Sequence, residues 1–411
     1  MLASHNSTIA NTVPAMLAGI NSGIALQPVP ARGRGFIAQR DIKAGETVLI
    51  DWPIILVCNN LKQYCYNCLR DLSILGHSGV HCSECRIAVF CSDACLRAAK
   101  GNPAAHTADV CRVLSKADRS GLNEEDTLSL RLLAQAQALS AASNPHNAVN
   151  PTMQEAAQQQ WTAFARMQSA APSVTPLYDQ QRSIRLHERL RSTSAAAGVK
   201  CMSLQDVEGV LSREGINGYG VMAQSGPEGE RRIRGTAIYP LACYVNHECL
   251  PNVARVDDFD SSQYPHNTRM CFRALHDLPA GEEITQSYFP LPVGYQERQK
   301  RLQEDYGFTC TCPRCKEEAS WLSDDEEAME ADAPQTAEGS QEMDTGAGAA
   351  DEAYIGMFLL KYVCPVEECG GTMLPPPTGD LVPADGTTSF KCNMCGLLRT
   401  EEQFMAAVQE Q

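Results

Sequence analysis

No stretch of this 411-residue chain is long and apolar enough to span a bilayer, which takes about twenty residues. No lysine or arginine occurs before Arg32, and the apolar runs of residues 1–31 are broken by Asn, Ser and Pro. A secretory signal needs a basic start and an unbroken apolar run, and a mitochondrial transit peptide needs arginines, so neither is expected. Basic residues are missing again from 324–352, where eleven Asp or Glu stand without one Lys or Arg. The formal charge of −15, less the −11 of that window, leaves −4 for the rest. With the folded parts near neutrality and no basic patch, direct nucleic-acid binding is not expected. The acidic window is rich in Ala, Gly and Gln, so 321–353 reads as a disordered linker, beyond which a C-terminal unit would move independently.

Cysteine is abundant: nineteen residues, most of them in short pairs. Without an export signal such pairs read as metal ligands in a reducing compartment, not as disulfides. Four pairs crowd 47 residues: Cys65 with Cys68, Cys82 with Cys85, Cys91 with Cys95, and His106 with Cys111. Eight thiolate and imidazole ligands suffice for two tetrahedral zinc sites, and few apolar residues here could hold a fold otherwise. The spacing does not fix which pairs share an ion. Cys364, Cys369, Cys392 and Cys395 look like the two knuckles of a zinc ribbon, the first wider than usual. "CTCPRC" brings Cys310, Cys312 and Cys315, one ligand short of a closed site. The unclaimed candidate is Cys249 in "YVNHECLPN", which beside His247 reads as a nucleophile, a ligand or a buried thiol.

Between the cysteine groups, 34–58 reads as a hairpin around the turn "KAG". Residues 122–170, with leucines at helical intervals, read as helices interrupted by "SNPHNAVNP". Ser203 and Asp206 make a capping-box pattern ahead of Val207, Val210 and Leu211. Short strand-like runs follow from Ile216 to Tyr288.

The pairs "YCYNC", "HCSEC", "VFCSDAC" and "HTADVC" resemble the MYND zinc finger. "RGRGFIAQRDIKAGE", "YVNHECLPN", "LPAGEEITQSY" and "DYGFTCTCPRC" occur in the order of a SET domain, which that finger would split. The chain thus resembles the SET-and-MYND family of protein lysine methyltransferases over roughly residues 30–318. The resemblance implies an α+β fold: a mainly β SET domain with an inserted finger and helical insert, plus a small C-terminal ribbon. The bounds read as a disordered N-terminus 1–23, SET first part 24–62, finger 63–113, helical insert 114–198 and SET core 199–290. A post-SET zinc segment at 291–320, the acidic linker 321–353 and a ribbon-like unit 354–400 complete it. It also implies that Cys65, Cys68, Cys91 and Cys95 share one zinc and Cys82, Cys85, His106 and Cys111 another. Cys249 would complete a third site with Cys310, Cys312 and Cys315, as a ligand and not a nucleophile, giving four zinc ions with the ribbon.

By the same resemblance Arg32, Gly33, Arg34 and Gly35 surround S-adenosylmethionine, glycine allowing close backbone approach. Asn246, His247 and Asn217 would contact the cofactor and Phe308 would cover its adenine. Tyr288 and Tyr306 would flank the reacting amine, Tyr288 also lining the cofactor, while Tyr239 reads as core packing. A free lysine has a pKa of about 10.4, and an apolar aromatic channel beside a sulfonium favours loss of its proton. The implied function is methylation of lysine side chains in histone or other proteins; the alternative is a zinc-built adaptor on a SET fold that no longer turns over. Proline-containing peptides are the expected ligands of the finger, and no membrane contact is expected. The expected location is the nucleus, the cytoplasm or both. Glu248 stands where the family often has a small residue, and "SYFP" lacks the acidic residue that often follows.

Overall fold

In the computed structural model the described residues are 23–409, apart from 77, 118–119, 148–150, 171–179, 224–231, 258–259, 261–265, 331–346 and 379–388. All but the last residue of the expected disordered N-terminus, 1–23, and the middle of the acidic linker lie outside them. The fold is α+β, with several small sheets, a helical region and four cysteine clusters. It divides into two compact units, one holding Leu49–Tyr244 and Val256–Cys271, the other Gly23–Val48, Val245–Arg255 and Phe272–Gln411.

The first unit contains the cysteine-rich segment 63–113 and the helices between Asp93 and Asn217. Asn123 starts the helix Glu124–Ser143 by accepting the Asp126 N–H at 2.7 Å, and Ser203 with Asp206 closes a full capping box on Leu204–Asn217. Such caps satisfy N–H groups that a helix start leaves without partners. Leu132, Leu133, Leu139, Phe164, Leu186, Leu190, Val207 and Val210 pack with Ile55, Val57 and Ile238 into one core. Strand Ile233–Ile238 lies between Ile55–Cys58 and Gly218–Met222. Gln135 fixes the long helix to that sheet, its amide bonding the Leu56 carbonyl at 2.9 Å and N–H at 3.3 Å. The finger is tied in by Arg234, which pairs with Asp260 and donates to the Leu69 carbonyl at 3.1 Å. Tyr239 is buried, with its hydroxyl on the Thr268 carbonyl at 2.7 Å, as core packing requires.

The second unit is built on a four-stranded sheet in the order Ile24–Val29, Gly33–Ala38, Glu283–Gln286, Asn246–His247. The expected hairpin around "KAG" does not form. Gly33–Ala38 has both edges taken, by Ile24–Val29 and by Glu283–Gln286, so the strand after the turn pairs elsewhere. Gly45, at φ 81°, instead donates its N–H to the Ala274 carbonyl.

The C-terminal unit makes contacts with the rest of the second unit. A helix continues from Pro313 to Glu330 and another begins at Ala347, so the acidic stretch 321–353 is helical at both ends. The ribbon sheet belongs to the second unit and is docked on it. The Tyr362 hydroxyl donates to the Leu275 carbonyl at 3.0 Å, Asn393 Nδ2 to the Arg255 carbonyl at 2.9 Å, and the Thr378 N–H to the Gly45 carbonyl at 3.2 Å. The Pro376 carbonyl sits 2.0 Å from where a Gly45 Cβ would be, a fit only glycine permits.

Asp51 is buried in the first unit. It accepts N–H groups from Leu241 at 2.7 Å, Ala242 at 2.8 Å and Trp52 at 2.9 Å, which fixes the turn Ala242–Tyr244. Burial pushes its carboxyl up to about 7 against the pull of those donors. A carboxyl raised in the folded state costs stability as pH climbs from its unfolded value, about 3.9, to the raised one, because the unfolded chain ionises first. The melting temperature of Asp51→Asn relative to wild type is therefore expected to shift in the variant's favour between pH 5 and pH 8. A constant difference across that range would show that Asp51 is ionised throughout.

Candidate active site

Gly33 follows the turn between the first two strands at φ 77°, a conformation that favours glycine, and nothing lies within 4 Å of where its side chain would begin. That side of the loop is open. Gly35 is needed for another reason. A Cβ there would stand 2.7 Å from Glu283 Oε1 and 2.8 Å from Asn246 Nδ2, so its place is taken by protein, not kept for a ligand. Asn246 Nδ2 donates to Glu283 Oε1 at 2.7 Å and to the Arg34 carbonyl at 3.2 Å. Arg32 donates to Glu283 and Glu248, both at 3.0 Å, and to the His247 carbonyl at 3.1 Å. Burial, aided by the neighbouring Cys312 thiolate, pushes the Glu248 carboxyl up to about 8 against the pull of Arg32.

Asn246 and His247 run parallel to Thr285 and Gln286. That register brings Tyr288, two residues on, against the His247 ring. The Tyr288 N–H donates to His247 Nδ1 at 3.1 Å. Burial drives the imidazole pKa down to about 3, so the ring is neutral and its proton sits on Nε2. Nε2 lies 3.3 Å from Cys249 Sγ and donates to it. Both ring nitrogens are thus engaged within the protein.

Cys249 is 1% exposed, and its sulfur gathers with those of Cys310, Cys312 and Cys315 within 4.8 Å of one another. Cys249 lies 3.4 Å from Cys315 and 4.0 Å from Cys310, far beyond the S–S bond of a disulfide at about 2.05 Å. A zinc tetrahedron with bonds of about 2.3 Å has sulfur–sulfur edges of about 3.8 Å, so the four thiols fit that ion. The other predicted ligands form three further groups: Cys65, Cys68, Cys91 and Cys95; Cys82, Cys85, His106 and Cys111; and Cys364, Cys369, Cys392 and Cys395. His106 joins despite its long gap to Cys111. Its ring packs edge-on to Tyr66 and Phe90, and burial lowers its pKa to about 4, leaving the neutral imidazole a metal requires.

Tyr288 and Tyr306 stack with ring centroids 4.7 Å apart, and His247 lies 5.1 Å from Tyr288 and 6.3 Å from Phe308. Phe308 is 37% exposed, a flat apolar face open to solvent. Tyr306 ends a short π-helical stretch, Leu302–Tyr306, which Gly307 closes at φ 77°. Burial, with Asp305 beside it, holds the Tyr306 phenol above its usual value, so the hydroxyl keeps its proton at neutral pH. Asn217 lies in the first unit at the end of a helix, both hydrogens of its amide donated to the carbonyls of Gln168 and Arg213.

Residues 33–289 match the SET domain family. The chain belongs to the SET domain family of protein lysine methyltransferases. This SET protein is 31% identical to the histone-lysine N-methyltransferase ASHR2 of Arabidopsis thaliana, over 91% of this chain and 94% of the relative. It is 25% identical to the protein-lysine N-trimethyltransferase SMYD5 of Gallus gallus, over 73% and 88%. A SET and MYND domain-containing protein of Dictyostelium discoideum is 36% identical over 20% of this chain and 19% of its own.

Sequence reading missed Glu283, Gln286 and Asn252, which bind this SET core together. Gln286 donates to the Val245 carbonyl at 3.1 Å, and Asn252 to the Glu283 carbonyl at 2.7 Å. The acidic pair in "GEEIT" was the one visible signal of Glu283. If the cluster holds zinc, Cys249→Ser is expected to lose about one zinc ion per chain, since a hydroxyl is a far poorer ligand than a thiolate. Native mass spectrometry of the variant reads the loss; unchanged stoichiometry combined with rapid alkylation of Cys249 in the wild type would make it a reactive thiol instead.

Proposed function

We propose that this SET protein transfers the methyl group of S-adenosylmethionine to lysine side chains of histones, among other protein substrates. The observation that carries the reading is His247, which links the Tyr288 backbone to the Cys249 cluster while Tyr288 and Tyr306 face each other beside it. The Arabidopsis relative is named a histone-lysine N-methyltransferase, and this chain covers nearly all of it.

Arg32, Gly33, Arg34, Gly35, Asn246 and His247 would hold the cofactor, with Phe308 over its adenine; Asn217 is the remaining candidate contact. When bound, S-adenosylmethionine supplies a methyl group on a positively charged sulfur. The tyrosine pair forms an aromatic wall that strips water from the entering amine, which favours its neutral form. The Tyr306 hydroxyl, still protonated, accepts a hydrogen bond from the amine and aims its lone pair along the line of displacement. Tyr288 does the same from the opposite side. The lysine proton leaves to solvent before transfer, so no strong base is required of the protein.

Four zinc ions, one per cluster, would hold the finger, the post-SET segment and the ribbon. The finger would take proline-containing peptides. A histone substrate would place the protein in the nucleus, with cytoplasmic substrates as the other possibility; no helix among the described residues is long and apolar enough to cross a membrane. The bounds 63–113 for the finger and 291–320 for the post-SET segment are the expected working units.

Tyr288→Phe is expected to keep zinc content and melting temperature while lowering turnover on the order of a hundredfold, the scale of lost orientation at a reacting centre. The assay is methyl transfer from labelled cofactor to histones and to cell lysate, with modified lysines read by mass spectrometry. Turnover within a factor of two would remove Tyr288 from the chemistry. Cofactor binding without transfer by the wild type would favour the adaptor.

A further inference from the structure

We propose that Arg298 is a positioning residue that couples metal binding at the Cys249, Cys310, Cys312 and Cys315 cluster to the segment carrying Tyr306 and Phe308. The proposal rests on reading that cluster as a zinc site and those aromatics as walls of the active site.

Arg298 is 1% exposed and heads the largest fully buried side chains. It lies on the helix Tyr295–Arg301, which runs directly into the π-helical stretch ending at Tyr306. One guanidinium nitrogen donates to the Val293 carbonyl at 2.7 Å; the other donates to Cys315 Sγ at 3.5 Å and to the Glu318 carboxylate. Glu318 is shared with a second buried cation, Arg314, at 2.7 Å, and Arg314 also reaches the Leu291 carbonyl at 2.8 Å and the Cys249 carbonyl at 3.4 Å.

Two buried guanidiniums and one carboxylate leave a positive charge, and a buried charge without a partner is costly. Four thiolates around a divalent ion carry a net charge of minus two, which supplies the missing anion. In the finger the side-chain donor to a cluster sulfur is the neutral amide of Asn67, at 3.2 Å from Cys95. The cationic donor is thus matched to this cluster.

The next residue repeats the contact from the other side. Gln299 Nε2 donates to the Cys310 carbonyl at 2.8 Å, and its Oε1 accepts the Cys310 N–H at 3.0 Å. Residues 300–309 therefore form a loop whose two ends are pinned together, one on the helix and one on the cluster. Tyr306 and Phe308 hang in that loop. Loss of the metal would leave the four sulfurs without the ion that gathers them, and the Arg298 and Gln299 contacts that anchor the helix end ahead of Tyr306 would loosen with them.

The test uses the full chain as Arg298→Lys and Glu318→Gln, a chromogenic zinc chelator, and calorimetry of S-adenosylmethionine binding. Lysine keeps the charge but cannot serve sulfur, carboxylate and carbonyl together. Arg298→Lys is expected to release one zinc of four about tenfold faster than wild type, the usual scale of a lost partner to a metal ligand, with the other three unchanged. Excess zinc should then restore its cofactor affinity. Glu318→Gln removes a negative charge beside the cluster and should hold all four ions as well as wild type or better. Equal acceleration in both variants, or wild-type release in Arg298→Lys, would overturn the coupling. If Arg298→Lys does not fold, the direction of the Glu318→Gln effect decides alone, faster release counting against. A wild type that binds only three zinc ions would instead sink the metal reading itself.

Discussion

The imidazole of His247 fixes the geometry of the active site through its choice of tautomer. Because Nδ1 accepts the Tyr288 N–H, the single proton of the neutral ring must point at Cys249. A protonated ring would have no lone pair for Tyr288, and a ring protonated only on Nδ1 would turn a donor toward a donor. Burial suppresses the first state and the backbone excludes the second. One side chain thereby bridges Tyr288 and the sulfur cluster.

Around that pivot the sheet supplies the remaining constraints. The parallel register of Asn246 with Thr285 delivers Asn246 to Glu283, and Glu283 in turn holds Arg32. Gly35 permits this by lacking a Cβ, so the glycine shapes the turn between the first two strands through packing within the protein. Two acidic residues on Arg32 also explain how Glu248 is tolerated beside a cluster of thiolates: a cation stands on its far side. The face of Phe308 and one side of Gly33 stay open to solvent.

Much of this was legible in the sequence wherever the governing interaction is local. Ligand pairs two to four residues apart declare themselves, and the grouping implied by family resemblance is the grouping found. The capping box at Ser203 and the start of the helix at Asn123 are decided within four residues. The errors fall where the partner is distant. The hairpin at "KAG" failed because the edges of Gly33–Ala38 are claimed by strands before it and some 245 residues after it. The contacts of the ribbon were missed because nothing near Gly45 announces that the Pro376 carbonyl will occupy its Cβ position. Arg298 and Glu318 lie on two different helices and drew no reading from the sequence; only the fold puts them beside sulfur.

The same contrast bears on why metal clusters recur in this chain. The segments around Cys310–Cys315 and Cys364–Cys395 are short, so ligand bonds at such clusters would add to what little core they can build. In the second unit this has a consequence beyond stability. A hydrophobic core spreads its constraint over many contacts, and the loss of one is absorbed by its neighbours. A tetrathiolate concentrates the constraint in four atoms, and here those atoms touch His247 directly and the Tyr306 helix through Arg298. The placement of the tyrosine pair therefore depends on very few contacts.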